Sequence, residues 1–383
     1  MKRILFLQNN IDAIGGVTYV NVALANEFLK RGEEVFIDSL RFGGFGQTVE
    51  YPSKAVVEII NEKEKWDCPR LSDAISLLQK GKWIQAIRFI QKRKKYDRSF
   101  KADLKKLQEH IKSIHPDIII NSHYELLPGI PQEYQKKTVN HYHTNFEQVL
   151  QSKSQRKMFW NYRDKIGKFV WLTKQTMEQA KKMGIQNSTY LYNPIRFHAT
   201  QKSNVRENKQ VIFIGRYSEE KRLELAIRLF EQVVKEDSLQ DWKFAIYSIG
   251  ELPQEILEKG KSPHILLQGS TDHPEQVLQQ ASLLLLTSSY EGFPLVVLEA
   301  NECGVPALAF DFGESSKEVI TKKTGIVVKQ NDEQSYQEKL TLLMKNADLR
   351  QELSQNAIAF ANQFSIEKIV DKWYCLFEEL LLQ

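Results

Sequence analysis

Glu291 and Glu299, with seven residues between them, lie in Ser289-Tyr290-Glu291-Gly292-Phe293-Pro294-Leu295-Val296-Val297-Leu298-Glu299-Ala300. The apolar run Leu283–Leu286 before them reads as a buried strand. Gly292 and Pro294 punctuate a turn, Pro294 suits the first position of a helix, and residues 295–300 continue that helix. One carboxylate is therefore expected just before a helix N-terminus and the other inside the helix. Such an N-terminus offers unpaired N–H groups and a partial positive charge, and so attracts phosphate. Two acids would repel the phosphate itself and are better placed to hold hydroxyls on either side of it. A nucleotide sugar has that layout: sugar, diphosphate, ribose.

A second cluster is Phe213-Ile214-Gly215-Arg216-Tyr217-Ser218-Glu219-Glu220-Lys221. A buried strand is expected to end at Gly215, leaving Arg216 and Lys221 within one loop and helix start. Two cations at a strand's carboxyl end can neutralise a diphosphate leaving group. The plainer reading is surface salt bridges with Glu219, Glu220 and Glu224. No Asp-x-Asp pair occurs in the sequence, so the spacing offers no carboxylate pair for a divalent cation on the diphosphate. The expectation is a site with no metal and no cofactor beyond the donor.

The elements that must position these residues read as two α/β series. Ile4–Leu7 is a strand, Ile14-Gly15-Gly16-Val17 a glycine turn, Val20–Lys30 a helix ended at Gly32, and Val35–Ile37 a strand. This β-α-β unit implies a parallel sheet with right-handed crossovers. Further strands are expected at Ile118–Asn121, Thr138–His141 and Lys168–Leu172. The pattern breaks near Asn193-Pro194 and a polar stretch follows. A second series then gives strands at Val211–Ile214, Lys243–Ser248, Ile265–Gln268, Leu283–Thr287 and Ala307–Phe310, with a helix at Leu223–Lys235. The fold class expected is α/β, with two Rossmann-like doubly wound domains facing a central cleft: residues 1–193, with a basic helical insertion at about 71–112, and residues 194–365. An amphipathic helix at 366–383, with Trp373, Phe377 and Leu381 on one stripe, is expected to pack back on the first domain. Ligands of such sheets bind at strand carboxyl ends.

Of the 383 residues, 42% are hydrophobic and 26% charged, a globular composition of a length suited to two domains. No apolar run reaches the roughly 18 residues of a membrane-spanning helix. The first ten residues read as a strand, not a signal peptide. The three cysteines, at 68, 303 and 375, have no paired or metal-ligand spacing. A reducing cytoplasm is the expected setting. Residues 80–112 carry Lys82, Arg88, Lys92, Arg93, Lys94, Lys95, Arg98, Lys101, Lys105 and Lys106 against Asp97, Asp103 and Glu109. Trp83, Ile84, Ile87, Phe89 and Ile90 interleave. Two basic amphipathic helices are expected there. Such helices are solvated faces, contacts to anionic lipid at the inner face of a membrane, or docking sites for an anionic polymer. No nucleic-acid motif accompanies the charge.

Gly215-Arg216 with Lys221, then Glu291-Gly292-Phe293-Pro294 with Glu299, then Gly304-Val305-Pro306 resemble the retaining GT-B glycosyltransferases, family four (glycosyl transferases group 1). The resemblance covers about 190–365, and reaches the first domain more loosely through Gly15-Gly16 and His143. It implies a nucleotide-sugar donor, by family frequency a UDP-sugar, held mainly by the second domain, with a glycan, lipid-linked or surface-polymer acceptor held by the first. Arg216 and Lys221 would bind the diphosphate, Glu291 the sugar hydroxyls and Glu299 the ribose. The backbone of Gly292, Phe293, Pro294 and Leu295 would line the sugar and phosphate site. Gly15 and Gly16 would let the first-domain loop approach the diphosphate. His143 would lie against the sugar. His141 and His123 compete for that place, His141 and His143 being read as pointing to opposite sides of a strand. A carboxylate nucleophile on Glu291 is the minority mechanism beside a front-face displacement. A nucleotide-sugar 2-epimerase and a catalytically silent partner of the same architecture remain the rival readings.

Overall fold

The computed structural model describes residues 1–11, 15–43, 49–65, 71–143 and 146–382. It divides into two units. Unit 1 is Met1–Trp171, Met177–Tyr190 and Val370–Gln383; unit 2 is Leu172–Thr176 and Leu191–Ile369.

Unit 1 contains strands β1 (Arg3–Asn10), β2 (Glu34–Phe42), β3 (Val56–Lys65), β4 (Ile118–Asn121), β5 (Thr138–His141), β6 (Lys168–Trp171) and β7 (Ser188–Tyr190). They form one parallel sheet in the order β3-β2-β1-β4-β5-β6-β7. The inner strands are continuous apolar runs such as Ile4–Leu7, fully buried because both faces of a parallel sheet are covered. The sheet starts toward one edge (β1, β2, β3) and then returns to build outward from β1 through β4. The carboxyl ends of β1 and β4 thus form its topological switch point. Helix α1 (Gly16–Lys30) follows β1, beginning at Gly16 rather than the expected Val20.

Unit 2 contains β8 (Gln210–Arg216), β9 (Lys243–Ile249), β10 (Ile265–Gly269), β11 (Leu283–Leu286), β12 (Ala307–Phe310) and β13 (Gly325–Val328). Their order, β10-β9-β8-β11-β12-β13, is again parallel throughout and puts the switch point between β8 and β11. Helix Leu223–Val233 buries Leu223, Ala226, Ile227, Leu229, Phe230 and Val233 on one face against this sheet, at helical spacing.

Three strands, β3, β7 and β13, were not expected. The outer strand β3, with the sequence VVEIINEKEK, is half charged, as an edge strand open to water on one side can be. The basic insertion is not two basic helices. Helix α2 (Leu71–Gln79) precedes the charge run, and α3 (Trp83–Ile114) is one 32-residue helix. No glycine or proline interrupts it, and it stops at His115, in the left-handed region at φ 51°, just before Pro116. The last helix, Ile366–Leu381, buries Trp373, Phe377 and Leu380; the expected Leu381 is 41% exposed. The turns advance by 3.6 residues, so 373, 377 and 380 share the stripe and 381 has rotated off it. In unit 1 the edge of Trp373 meets the His141 ring at a centroid distance of 5.2 Å, and Phe377 packs on Phe28 at 5.5 Å.

Candidate functional site

In unit 2 the loop after β8 and the loop after β11 are tied together at the switch point. The Lys221 ammonium donates to Glu291 Oε1 at 2.5 Å, and Ser288 Oγ donates to the same oxygen at 2.6 Å. The Lys221 and Glu291 side chains are only 21% and 11% exposed, so this pair is largely withdrawn from water. Around it the backbones are stitched: Ser289 N donates to Glu220 O at 2.8 Å, and Thr287 Oγ1 donates to the carbonyls of Lys221 and Arg222. Glu291 N reaches Phe312 O at 3.4 Å, bringing in the loop after β12. Of the two cations expected here, Lys221 is fixed. Arg216, at the end of β8, is 70% exposed and 3.5 Å from Glu220. Burial pushes the Glu220 carboxyl up, but hydrogen bonds from backbone and Ser218 and the Arg216 charge hold it below the usual carboxylate range.

The sequence reading missed the residue that sets this geometry. Arg222 sits in the left-handed region at φ 50° and sends its guanidinium under both loops. Nε donates to Thr287 O at 2.5 Å, Nη1 to Asn331 Oδ1 at 2.8 Å, and the guanidinium lies 5.2 Å over the Phe310 ring. In the string Glu-Glu-Lys-Arg nothing marks it as different from a surface cation. Gln330 completes the brace, donating from Nε2 to the carbonyls of Ser288, Ser289 and Asp311 at 3.1–3.2 Å.

Helix Leu295–Glu302 begins where the sequence placed it, with one correction: Pro294 is its N-cap, at φ −73° and ψ 102°, not its first helical residue. Its first turn carries no acidic residue and no side-chain cap, which leaves the N–H groups of a helix N-terminus for another acceptor. The loop is anchored from below by Phe293, which stacks on Tyr192 at 5.5 Å and meets Phe364. Phe293 therefore contributes its side chain to the core. Glu291 precedes the helix and Glu299 lies within it, as expected. Glu299 is 1% exposed, and its Oε1 accepts from Arg196 Nε. One turn on, Glu302 accepts from Ala199 N, Lys202 and His198. These two acids clamp the segment 196–202 to the helix, which is the structural work Glu299 performs here. Gly304, at φ 74°, closes the helix. A Cβ there would lie 2.8 Å from Ser354 Oγ, so both conformation and space call for glycine.

Unit 1 gathers neutral groups instead. His123 follows β4, His141 ends β5, and His143 lies two residues beyond. The expectation that His141 and His143 diverge is wrong. Residues two apart in an extended chain share a side, and the rings lie 4.1 Å apart, tilted by 55°. Burial pushes the His123 imidazole down to about 4 and His141 to about 3. Burial, then the neighbouring His141 and His123, holds His143 well below its usual value. All three are uncharged at neutral pH. Both His141 nitrogens and His143 Nε2 are buried with no hydrogen-bond partner among the described residues. Beneath them Asn121 Nδ2 donates to Asn140 Oδ1 at 2.6 Å and to His123 O at 2.9 Å, linking β4 to β5. Beyond His123 in the β4 loop is Glu125, whose carboxyl is raised by burial against hydrogen bonds from backbone, Tyr124 and Asn9.

Gly15 is extended at φ −178°, a backbone any residue adopts, with open space where a Cβ would stand; Gly16 is the first residue of α1. Nothing in the packing of the described residues calls for glycine at 15. Asp12–Ile14 lie outside the described residues. Of the four cations at 92–95, Arg93 turns to Asp97 at 2.9 Å. Among the described residues no group of three or more His, Cys, Asp or Glu side chains is arranged to hold a metal ion.

Residues 196–360, which hold the Lys221–Glu291 pair, match the family model described as glycosyl transferases group 1. Over that stretch the chain is similar to the group 1 glycosyltransferases. It is 29% identical over 253 residues to poly(ribitol-phosphate) alpha-N-acetylglucosaminyltransferase of Staphylococcus aureus (strain COL), covering 64% of this chain and 50% of that protein. To poly(glycerol-phosphate) alpha-glucosyltransferase of Bacillus subtilis (strain 168) it is 26% identical over 245 residues, 61% of this chain and 35% of the relative. The chain thus spans about half or less of the length of these curated relatives. Among solved structures, a mutant of S. aureus TarM in complex with fondaparinux, alpha-GlcNAc-glycerol and UDP superposes with a TM-score of 0.73 at 16% identity, covering 98% of this chain and all of that one. The two-domain α/β fold of GT-B glycosyltransferases is shared with it. Among the described residues no helix is long and apolar enough to cross a membrane.

Proposed function

We propose that the group 1 domain works as a retaining, metal-independent glycosyltransferase. The donor is a nucleotide sugar, a UDP-sugar by the company the chain keeps. The acceptor is a hydroxyl of a surface-polymer, glycan or lipid-linked molecule. The observation that carries this reading is the largely buried Lys221–Glu291 pair spanning the loops after β8 and β11, beside an acid-free helix N-terminus. A switch point is where doubly wound sheets bind ligands. An ammonium held by a carboxylate at such a point is poised to exchange part of that partnership for a diphosphate.

In this reading Lys221, exposed Arg216 and the N–H groups of Leu295 and Val296 take the diphosphate. Glu291, released from part of its ion pair, accepts hydrogen bonds from sugar hydroxyls. Glu299 lends a carboxylate oxygen to the ribose while Arg196 keeps it oriented. In unit 1, neutral His143, with a buried Nε2 and no partner for it among the described residues, is suited to a hydrogen bond with a hydroxyl and adds no charge. The acceptor oxygen bonds to the anomeric carbon on the face from which the diphosphate departs. The carbon–oxygen bond to the β-phosphate breaks, and the hydroxyl proton passes to the departing phosphate oxygen. Positioning and electrostatics then supply most of the rate. The names of the relatives point to an anionic polyol-phosphate polymer as the acceptor class to try first.

The test is donor turnover with EDTA present, using a panel of UDP-sugars with and without poly(ribitol phosphate) or poly(glycerol phosphate). Acceptor-dependent release of UDP, with an α-linked product, supports the reading. Turnover without acceptor points to an isomerase, and no turnover with any donor points to a silent partner.

A further inference from the structure

Helix α3 is about 48 Å long at 1.5 Å per residue, but only its second half is built into unit 1. Leu104, Leu107, Ile111 and Ile114 are buried there, and Asp103 pairs at 2.7 Å with buried Arg41, whose guanidinium lies over the rings of Tyr96 and Phe100. These contacts fix which side of the helix faces the sheet. Between 83 and 102 the one buried residue is Ala86. That half of the helix contributes little to the core, so its outward face needs another explanation.

At 100° per residue, Trp83, Ile84 and Ile87, then Gln91, Lys94, Lys95, Arg98, Lys101 and Lys105, fall on an arc about 60–180° around the helix from Ala86 and Leu104, while Leu107, Ile111, Ile114 and Asp103 fall on the other side. Trp83, Ile84 and Ile87 are 63%, 70% and 54% exposed, and Ile75 on the packed neighbour α2 is 55% exposed. The cations are all exposed. Of the acids, Asp97 is engaged by Arg93 and Asp103 is buried with Arg41, which leaves exposed Glu109, one turn past Lys105, as the single acid beside five cations on this arc. One face of α3 therefore has an apolar tip of three large side chains and a cationic shaft of five.

We infer that this face of α3 docks on a bilayer carrying anionic headgroups. The apolar tip enters the interface between headgroups and acyl chains, and Lys94 to Lys105 lie along the headgroup phosphates. The two halves of the face decide the class of partner. A soluble polyanion would use the shaft and leave Trp83, Ile84 and Ile87 in water. A neutral bilayer would use the tip and leave five cations without counter-charge. A surface bearing both acyl chains and phosphate matches both.

The experiment is flotation of the full chain with vesicles of phosphatidylcholine alone and of phosphatidylcholine mixed with phosphatidylglycerol, at low and high salt. The wild type is compared with a tip variant (Trp83→Ser, Ile84→Ser, Ile87→Ser) and a shaft variant (Lys94→Gln, Arg98→Gln, Lys101→Gln, Lys105→Gln). All seven positions are exposed, and circular dichroism checks that each variant keeps its helix content. The expected result is binding to the anionic vesicles only, weakened by salt, and weaker by about tenfold or more in each variant. Absence of wild-type binding to anionic vesicles overturns the inference. So does full binding by the tip variant together with complete release by soluble polyphosphate, which would make the face a polyanion site.

Discussion

The switch points of the two sheets are built from opposite materials. In unit 2 the loops after β8 and β11 meet through charge: Lys221 on Glu291, Arg222 beneath both loops, Arg216 exposed at the rim. In unit 1 His123 follows β4 at the switch point, and His141 and His143 stand at the end of the neighbouring β5; burial keeps these histidines uncharged, beside a buried Asn121–Asn140 bridge. A site that must hold a diphosphate needs fixed cations, whereas one that handles hydroxyls is better served by neutral donors and acceptors. The same kind of sheet thus supplies two chemistries by what it places at the carboxyl ends of its strands.

The strongest way to break this contrast is to remove the charge from unit 2. Glu291→Gln or Lys221→Met is expected to lower donor turnover per folded molecule by about 10²–10³-fold, the scale of losing one preorganised electrostatic contact, beyond the loss of stability from breaking a largely buried pair. A large fall in stability with turnover per folded molecule intact would show that the pair is only structural. The buried Arg41–Asp103 pair of unit 1, by contrast, is scaffolding. Asp103→Ala strands a buried guanidinium and is expected to cost about 3–5 kcal/mol in denaturant unfolding.

The neutrality of unit 1 has its own pH signature. His141 titrates near 3 when folded and near 6.5 when unfolded, so between these values the unfolded chain binds the extra proton. Stability from this group is present above about pH 6.5 and is lost as pH falls toward 3. Wild type minus His141→Gln isolates it from His110 and Asp38, whose pair shifts upward and so acts in the opposite sense. The expected difference is a few kcal/mol in favour of the variant at the acid end. Equal acid profiles would mean that His141 is not held neutral. The smallest effect is expected at Arg216. Its exposed pair with Glu220 adds at most about 1 kcal/mol, so Arg216→Gln should leave the melting temperature nearly unchanged and raise the KM for donor.

The same contrast explains what the sequence could reveal. The charged site was legible, because Arg216, Lys221, Glu291 and Pro294 stand next to apolar runs and turn residues that fix their place on strand, loop and helix. Most inner strands were legible for the same reason. The Arg222 brace was not, since its importance comes from a left-handed backbone and from partners 65 to 109 residues away. Glu299 was placed correctly on its helix, but its Arg196 partner, 103 residues distant, was out of reach. In unit 1 the side-by-side histidines depended on a strand ending at His141, and their lowered pKa values on burial, which spacing does not carry. The charge run was read as two basic helices, although no glycine or proline interrupts residues 83–114 and they form one helix.

The central claim is that the β8 and β11 loops form a nucleotide-sugar site. Amide hydrogen exchange with and without a UDP-sugar, in EDTA, tests it most directly. The account predicts slowed exchange confined to 215–222 and 287–297, abolished by Lys221→Met. Protection elsewhere with those two loops unchanged would contradict it.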